Sequence, residues 1–228
     1  MTRKSEGVPP MPNILYLDRD IVVAEKPRGV LSEGSDVGGM PALLEAELGS
    51  PVLTVHRLDR ETAGVMVFAR SGRVAGRLSA AMQAGQFRKE YAAVVHGTPT
   101  PQEGEMCDLL FRDASRGKSF IVDRPRRGVR EARLAYRTLC TVPRGEGHLS
   151  LVAVTLGTGR THQIRVQFAG RGMPLYGDGR YGGRERAPLG LFARSLAFPH
   201  PGSGVPLEFS LPLPYGEEGF APFRETSE

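Results

Sequence analysis

A run of ionisable residues between two apolar stretches is the part of this sequence best suited to chemistry. Five of the six residues from His56 to Glu61 are ionisable, within VLTVHRLDRETAGVMVFAR at Val52–Arg70. An ionised carboxylate such as Asp59 can attack an electrophilic carbon and so divide one difficult reaction into two easier steps. A solvated loop also carries such charges, and the rest of the sequence has to separate the two interpretations.

Asp59 and Glu61 are two carboxylates two positions apart, so they point the same way if the chain is extended there. Glycosidases use two carboxylates to break a glycosidic bond, which makes a hydrolase of N-glycosides one alternative. Charged neighbours are common in loops, so the pair alone is weak evidence for this class of enzyme.

Familiar cofactor motifs are incomplete where we find their fragments. Gly117-Lys118-Ser119 matches the end of a phosphate-binding P-loop, but Arg112 stands where that motif needs a glycine. The segment GTGRTH at 157–162 carries only the first two glycines of the dinucleotide fingerprint. The two cysteines lack a CxxC partner, and the five histidines lack HxxxH spacing. We therefore expect no metal, no nucleotide cofactor and no other cofactor.

The positive charge of the chain is unevenly distributed. The 228 residues have a formal net charge of +5, yet nine Lys or Arg and three acidic residues give +6 between Arg112 and Arg137 alone. Such a segment beside aromatic residues either contacts phosphates or is a solvated loop.

The sequence contains no apolar run of membrane-spanning length, and its N-terminus lacks the apolar core of a signal peptide. We therefore expect a cytoplasmic protein without a membrane partner. No long amphipathic segment is left over to join copies of the chain, which favours a monomer.

Hydrophobic periodicity predicts an α+β fold in which strands dominate and strict βαβ alternation is missing. The predicted helices are Met40–Gly49, Gly72–Gln86 and Thr161–Gly172, the last with Thr161 as its N-cap. The predicted strands are two within Ile14–Pro27, then Val52–Leu58, Val65–Arg70, Lys89–Gly97, Ala132–Val142 and His148–Gly157.

Three separated stretches together resemble the RluA-type pseudouridine synthases. They read HRLDRETAGVMVFAR, RKEYAAVVHG and LGTGRTHQIRVQFAGRGMPLYGDGRYGG. The early VVAEKPRGV and the late PHPGSGVPLEFSLPLP also resemble segments of that family in the same order, so the likeness spans Ile14–Pro214. The family's T-S-G, G-H-P and L-H-A patterns are replaced here by TAG at 62–64, GMP at 172–174 and LFA at 191–193.

The resemblance implies a mixed, mainly antiparallel bent sheet flanked by helices and loops, in one catalytic domain over residues 13–215. Residues 1–12 are expected to form a flexible lead-in, and residues 216–228 a flexible acidic tail. It also implies a short form of the family, without the small S4-like RNA-binding domain that precedes the catalytic domain in many relatives.

The resemblance makes Asp59 the catalytic carboxylate and Tyr91 the aromatic residue that stacks on the target base. It makes Arg165 the cation that keeps Asp59 ionised, a task suited to the planar guanidinium. The residues around these three are predicted to bind the substrate: His56, Arg57, Arg60, Thr62, Arg160, His162 and Gln163. His56 can instead anchor its loop through hydrogen bonds.

The resulting hypothesis is an isomerase that converts specific uridines of structured ribosomal or transfer RNA into pseudouridine, after flipping the base out of its stack. One alternative is an RNA-binding or RNA-folding protein in which catalysis is dispensable. The other is the N-glycoside hydrolase, which would release free uracil. The intact Asp59, Tyr91 and Arg165 favour the enzyme over the binding protein.

Overall fold

The structure, a computed structural model, describes residues 11–34 and 38–225 and divides into two compact units. The first unit comprises the described residues up to Phe87 together with Phe198–Phe209. The second comprises Arg88–Ala197 and the described residues from Ser210 onward. The sequence predicts one domain over 13–215. In the structure the chain passes from the first unit into the second and returns to the first over Phe198–Phe209 before it ends in the second. The predicted lead-in falls almost wholly outside the described residues.

The first unit is built on antiparallel strands whose centre is entirely apolar. β1 pairs with β2, β2 with β4, and the short β3 with the end of β4. Ile21–Ala24 and Val67–Ala69 are completely buried, so β2 and β4 form the core of this unit. The elements are β1 (Asn13–Leu17), β2 (Ile21–Lys26), α1 (Met40–Leu48), β3 (Leu53–Thr54), β4 (Ala63–Ala69) and α2 (Gly72–Gln83).

The end of the first helix and the start of the second are fixed by local capping interactions. Gly49 takes a left-handed conformation with φ of 64° and donates its N–H to the Glu45 carbonyl at 2.9 Å, which ends α1. At the start of α2, the Ser71 hydroxyl accepts a hydrogen bond from the Val74 N–H at 3.3 Å. Neither end depends on distant contacts, and both helices are therefore confirmed as predicted from local sequence.

The second unit is a larger antiparallel sheet that carries one short helix. Its strands are hydrogen-bonded in the order β10-β5-β9-β8-β6-β7. Val166 of the helix packs with Leu110 and Ala132 of the sheet. The elements are β5 (Arg88–His96), β6 (Glu103–Asp113), β7 (Lys118–Val122), β8 (Val129–Arg144), β9 (Gly147–Leu156), α3 (Gln163–Ala169), β10 (Leu191–Pro199) and a 3₁₀ helix (Ala221–Phe223). The last strand, β11 (Pro206–Ser210), lies almost wholly in the segment that returns to the first unit. The α+β class is confirmed.

The strand predicted over Val52–Leu58 is wrong beyond Thr54. Leu58 has both its backbone N–H and its carbonyl bonded to the Ser32 hydroxyl, so its backbone groups are not available for a strand pair. The Thr161 cap of the third helix is also wrong. α3 follows His162, which has a left-handed φ of 55° and provides no side-chain cap.

Part of the basic segment, for which the sequence indicates no strand, is paired sheet. β6 pairs with β7 through Phe111↔Phe120 and with β8 through Phe111↔Val129. Only Met106 and Leu110 are buried along β6, and the apolar runs LLF in β6 and FIV in β7 are only three residues long, so the sequence carries a weak strand signal here.

The segment after Tyr215, predicted to be a flexible acidic tail, contains buried residues in its described part, which ends at Glu225. Phe220 and Phe223 are completely buried, and the Tyr176 hydroxyl donates to the Glu218 carboxylate at 2.7 Å. Burial of the two rings stabilises this segment although its composition is polar and acidic. None of the helices within 11–34 and 38–225 is long and apolar enough to cross a membrane.

We expect Phe220→Ala to lower the free energy of unfolding by about 3–5 kcal/mol, because it empties a completely buried site. Urea unfolding measures this change. Val205→Ala is the matched control, since Val205 is 55% exposed and its truncation should change stability by less than about 0.5 kcal/mol. Equal, small effects for both variants would show that the C-terminal segment does not pack as described.

Candidate active site

Asp59 lies half-buried in the loop between β3 and β4 of the first unit. The Thr62 N–H donates to the Asp59 carbonyl at 3.0 Å and closes a turn over Arg60 and Glu61. The charged residues therefore occupy a tight turn rather than a strand. The extended spacing that would align the Asp59 and Glu61 carboxylates does not apply, which removes the main support for a paired-carboxylate site.

The residues on both sides of Asp59 are anchored to the loop that follows β2. The Ser32 hydroxyl accepts from the Leu58 N–H at 2.9 Å and donates to the Leu58 carbonyl at 2.8 Å. The Arg60 carbonyl accepts from the Gly29 N–H at 2.9 Å, and the Arg60 Nε donates to the Gly29 carbonyl at 2.8 Å. The backbone position of Asp59 is therefore fixed from both sides.

Lys26, the last residue of β2, lies completely buried beneath this pair of loops. Its ammonium donates to the carbonyls of Val30 at 2.6 Å, Pro27 at 2.9 Å and Arg60 at 3.1 Å. These three bonds use all three of its donors and join the two loops across the turn that carries Asp59. Burial lowers the pKa of Lys26 from 10.5 to about 8, while the Glu61 and Asp59 carboxylates oppose that shift.

The other predicted residues of this loop have different surroundings. His56 is buried, and its Nε2 accepts a hydrogen bond from the Val67 N–H at 3.1 Å, which attaches the start of the loop to β4. Arg57 is exposed and forms an ion pair with Glu33 at 3.0 Å. Thr62 is 1% exposed. Arg57 is thus the accessible cation of these three, whereas His56 and Thr62 are part of the packed interior.

In the second unit, Tyr91 lies on β5 between two neighbouring strands. It pairs with Val154 of β9 and with Ala193 of β10. Its side chain is 8% exposed, so the ring is held in a nearly closed environment. A tyrosine with this burial can present one part of its ring or its hydroxyl, which is the geometry expected of a positioned aromatic rather than a mobile surface group.

Arg165 lies on α3 and is 7% exposed. Its Nε donates to one Asp178 oxygen at 2.7 Å and its Nη2 to the other at 2.8 Å, which is a two-point ion pair. Asp178 was not among the predicted site residues, because an aspartate between glycines in GDG is typical of an ordinary turn.

The loop before α3 is organised by Gln163. Its carbonyl oxygen accepts from the Thr158 hydroxyl at 2.8 Å and from the Arg160 N–H at 3.0 Å, and its amide nitrogen donates to the Arg133 carbonyl at 2.9 Å. Gln163 is 3% exposed, whereas Arg160 is exposed and donates from Nε to the Glu131 carbonyl. Gln163 thus holds the loop before α3 together and attaches it to the backbone of Arg133.

The glycine-rich stretch after α3 contains a complete dinucleotide fingerprint, in addition to the incomplete one at 157–162. Residues 177–182 do have the spacing of the dinucleotide fingerprint, which the sequence interpretation overlooked. In the structure they form turns rather than a connection from a strand into a helix, so the context that such a site requires is missing. A Cβ on Gly177 would lie 2.5 Å from the Pro188 carbonyl oxygen, which explains a glycine at this position.

The basic segment forms the outer edge of the second unit. Some of its cations are stacked on rings: the Arg126 guanidinium lies 4.8 Å from the Phe111 ring centre, and the Lys118 ammonium lies 4.8 Å from that of Tyr181. The turn between β7 and β8 carries the exposed Arg124 and Arg127. A shallow cleft at the start of this turn is lined by Ile121, Val122, Asp123, Arg124 and Arg126.

The predicted residues are distributed over the two units. The first unit carries His56, Arg57, Asp59, Arg60 and Thr62, and the second carries Tyr91, Arg160, His162, Gln163 and Arg165. No group of three or more His, Cys, Asp or Glu residues in the described ranges is arranged to hold a metal ion. The first unit thus supplies a half-buried carboxylate on a loop whose backbone is fixed on both sides, close enough to the buried Lys26 to affect its charge, which suits covalent or electrostatic chemistry at carbon.

Comparison with known proteins identifies the family. Residues 20–170 match the family model described as RNA pseudouridylate synthase. Ribosomal large subunit pseudouridine synthase D of Vibrio cholerae is 36% identical over 89% of this chain and 67% of its own length. Among solved structures, human RNA pseudouridylate synthase domain containing 1 aligns with a TM-score of 0.76 and 25% identity, covering 90% of this chain and 84% of that chain.

Human RNA pseudouridylate synthase domain containing 4 aligns with a TM-score of 0.73 and 26% identity, over 92% of this chain and 90% of that one. The chain therefore belongs to the RluA-type RNA pseudouridine synthase family, as its motifs indicate, and is an isomerase that modifies RNA. The matched range includes Asp59, Tyr91 and Arg165.

We expect the Lys26 side chain to titrate near pH 8, because burial opposes its charge. The unfolded chain keeps this proton up to about pH 10.5 and so binds more protons than the folded chain between the two values. The contribution of Lys26 to folding stability therefore rises as pH increases through that window. The ¹³Cε shift of Lys26, assigned by comparison with Lys26→Met, measures the midpoint, and a value near 10.5 would contradict the buried environment.

Proposed function

We propose that this member of the family converts specific uridines in structured RNA into pseudouridine, with Asp59 as the catalytic carboxylate. The observation that carries the proposal is the anchoring of Asp59: a hydroxyl holds the residue before it, and a buried ammonium and a backbone N–H hold the residue after it. Such a fixed backbone on both sides of the residue suits the demand of catalysis for a reacting group held in place.

The chemistry requires the N1–C1′ bond of uridine to break, the base to turn, and a C1′–C5 bond to form. Asp59 either attacks C1′ or stabilises the positive charge that develops there when the base leaves. The proton on C5 is lost once the new bond exists, and N1 gains one, so the product has the same atoms as the substrate. The reaction therefore needs no redox partner and no energy donor.

Tyr91 and Arg165 complete the proposed catalytic set on the strength of the family resemblance. The Tyr91 ring suits stacking on the flipped base, and its hydroxyl suits removal of the C5 proton. Arg165 supports an ionised carboxylate during the reaction, and its guanidinium has five N–H donors, of which the two bonds to Asp178 use two. Of the seven predicted substrate-binding residues, Arg57, Arg60, Arg160 and His162 are proposed to contact RNA, whereas the buried His56, Thr62 and Gln163 are proposed to hold the loops that carry them.

For the substrate, we propose ribosomal RNA of the large subunit first and transfer RNA second. The support is the name of the Vibrio cholerae relative, a ribosomal large subunit pseudouridine synthase. The target uridine must leave its stack before Asp59 can reach C1′, at a cost of roughly a few kcal/mol. Contacts between RNA phosphates and the basic segment would offset part of that cost.

Asp59→Asn removes the reactive carboxylate while keeping the size of the side chain. We expect pseudouridine formation to fall by about 10³-fold or more, since loss of a nucleophile has effects of at least this order. RNA from a strain that lacks the gene, labelled with [5-³H]uridine, provides the substrate, and tritium released from C5 measures the reaction. RNA affinity, measured by filter binding, should change less than about threefold.

Glu61→Gln is the matched control, because it neutralises the other carboxylate of the turn and should retain the wild-type rate. Equal losses for both variants would contradict the assignment to Asp59. Free uracil in place of pseudouridine would establish the N-glycoside hydrolase. RNA binding without any tritium release by the wild type would instead favour the binding protein.

Arg124→Ala combined with Arg127→Ala tests the phosphate contacts. We expect weaker RNA binding and a shallower dependence of log affinity on log salt, by up to about 0.7–0.9 per phosphate contact removed. Arg19→Ala with Arg73→Ala removes the same charge from exposed positions of the first unit and should leave the slope unchanged. Identical slopes for the two double variants would show that the β7–β8 turn does not contact RNA.

A further inference from the structure

The guanidinium of Arg165 is held by more than its ion pair. Its carbon lies 5.3 Å from the centre of the Tyr181 ring, while Asp178 takes Nε and Nη2 from another side. An arginine side chain has considerable rotational freedom, which a two-point carboxylate and a stacked ring together remove. Both partners follow α3 within the same glycine-rich turn, so one short segment determines where the Arg165 charge points.

That segment is shaped to present the Asp178 carboxylate. The Asp178 carbonyl accepts from the Tyr181 N–H at 3.0 Å and from the Gly183 N–H at 2.8 Å, which folds the turn back on itself. A Cβ on Gly183 would lie 2.5 Å from the Asp178 nitrogen, so this position cannot carry a side chain without a shift of the backbone. Asp178 is 1% exposed, and the turn holds it in a single place.

Tyr181 is fixed in turn by its hydroxyl. The Ser119 N–H donates to that oxygen at 2.8 Å, which leaves the hydroxyl hydrogen available for His162 Nδ1 at 3.0 Å. His162 occupies the left-handed conformation directly before α3, where a residue other than glycine or asparagine is uncommon. The hydroxyl thus connects the ring that covers Arg165 to the residue from which the Arg165 helix begins.

We propose that Asp178 and Tyr181 are positioning residues for the isomerisation, which hold the Arg165 guanidinium in one orientation and act on the reaction only through it. The proposal rests on the assigned role of Arg165 in catalysis. A buried salt bridge is a poor source of stability compared with apolar packing. The two-point pair with Asp178 does, however, fix the orientation of the Arg165 guanidinium. The cation is therefore pre-oriented before RNA arrives, which lowers the reorganisation needed in the transition state.

Asp178→Asn and Tyr181→Phe test this. In single-turnover tritium release, we expect Asp178→Asn to reduce the rate by about 10–100-fold and Tyr181→Phe by about three- to tenfold, because a displaced catalytic group loses rate steeply. RNA affinity should stay within about twofold of wild type, since no substrate contact is removed. A purely structural role predicts folded variants with unchanged rates, and that result would overturn the proposal.

A double-mutant cycle shows whether the effect passes through Arg165. In the Arg165→Lys background, Asp178→Asn should slow the reaction by less than about twofold, because the group it orients is already lost. Independent, multiplying losses would overturn the proposal. The controls are Asp108→Asn, which disrupts the pair with Arg171 just after the same helix, and Tyr136→Phe, which removes a bond to the Pro101 carbonyl. Both should react at the wild-type rate.

A measurement without RNA separates this inference from the proposed function. In ¹⁵N NMR spectra of the full chain, hindered rotation should give Arg165 separate Nη–H signals in the wild type and averaged signals in Asp178→Asn. Averaged signals in the wild type would overturn the proposal, even for an active enzyme. Tyr181→Leu, which keeps the ion pair but removes the ring that covers Arg165, provides the same readout if Asp178→Asn unfolds. Absence of tritium release by wild type would refute the proposed function, and the NMR signals would still decide whether Arg165 is held.

Discussion

The buried ammonium of Lys26 is the constraint on which the arrangement of the first unit depends. A charge sealed among apolar strands must satisfy its donors locally, because water cannot reach it. The acceptors are carbonyls of the loop after β2 and the carbonyl of Arg60. Bonding to the ammonium therefore holds the loop after β2 against the loop that carries Asp59. The apolar strands β2 and β4 thus influence the site indirectly. They bury the Lys26 ammonium, and the hydrogen bonds of that ammonium hold the turn that carries Asp59.

The second unit also contains a buried cation whose donors are satisfied locally, in this case by a carboxylate. Arg165 and Asp178 are both nearly inaccessible, and each satisfies the other in a two-point ion pair. Loss of one partner in such a pair leaves an uncompensated buried charge, so the pair tolerates little change of geometry. In the first unit the loop that carries Asp59 is bonded to a buried ammonium, and in the second Arg165 itself is in a buried ion pair. The exposed cations Arg57, Arg124 and Arg127 lie instead in loops.

Much of the fold was predictable because its signals are local. Gly49 ends α1 through its own backbone conformation, and the uninterrupted apolar residues of β4 identify a buried strand from composition alone. The segments that were missed depend on partners distant in sequence. β6 forms between β7 and β8, which are separated from it or from each other by turns, and Phe220 is buried although the segment around it is polar and acidic. For the site, HRLD and HQIR identified Asp59 and Arg165, but Ser32 and Asp178 became visible only through the bonds they make.

The most direct measurement is pseudouridine mapping across total RNA in a strain that lacks the gene, complemented with either the wild type or Asp59→Asn. A catalytic Asp59 predicts that one or a few sites lose pseudouridine in the deletion strain and regain it only with the wild-type gene. The same map names the RNA and the uridine. Restoration of those sites by Asp59→Asn, or an unchanged map after deletion, would contradict the role of Asp59 and leave the chain an RNA-binding protein with the fold of an isomerase.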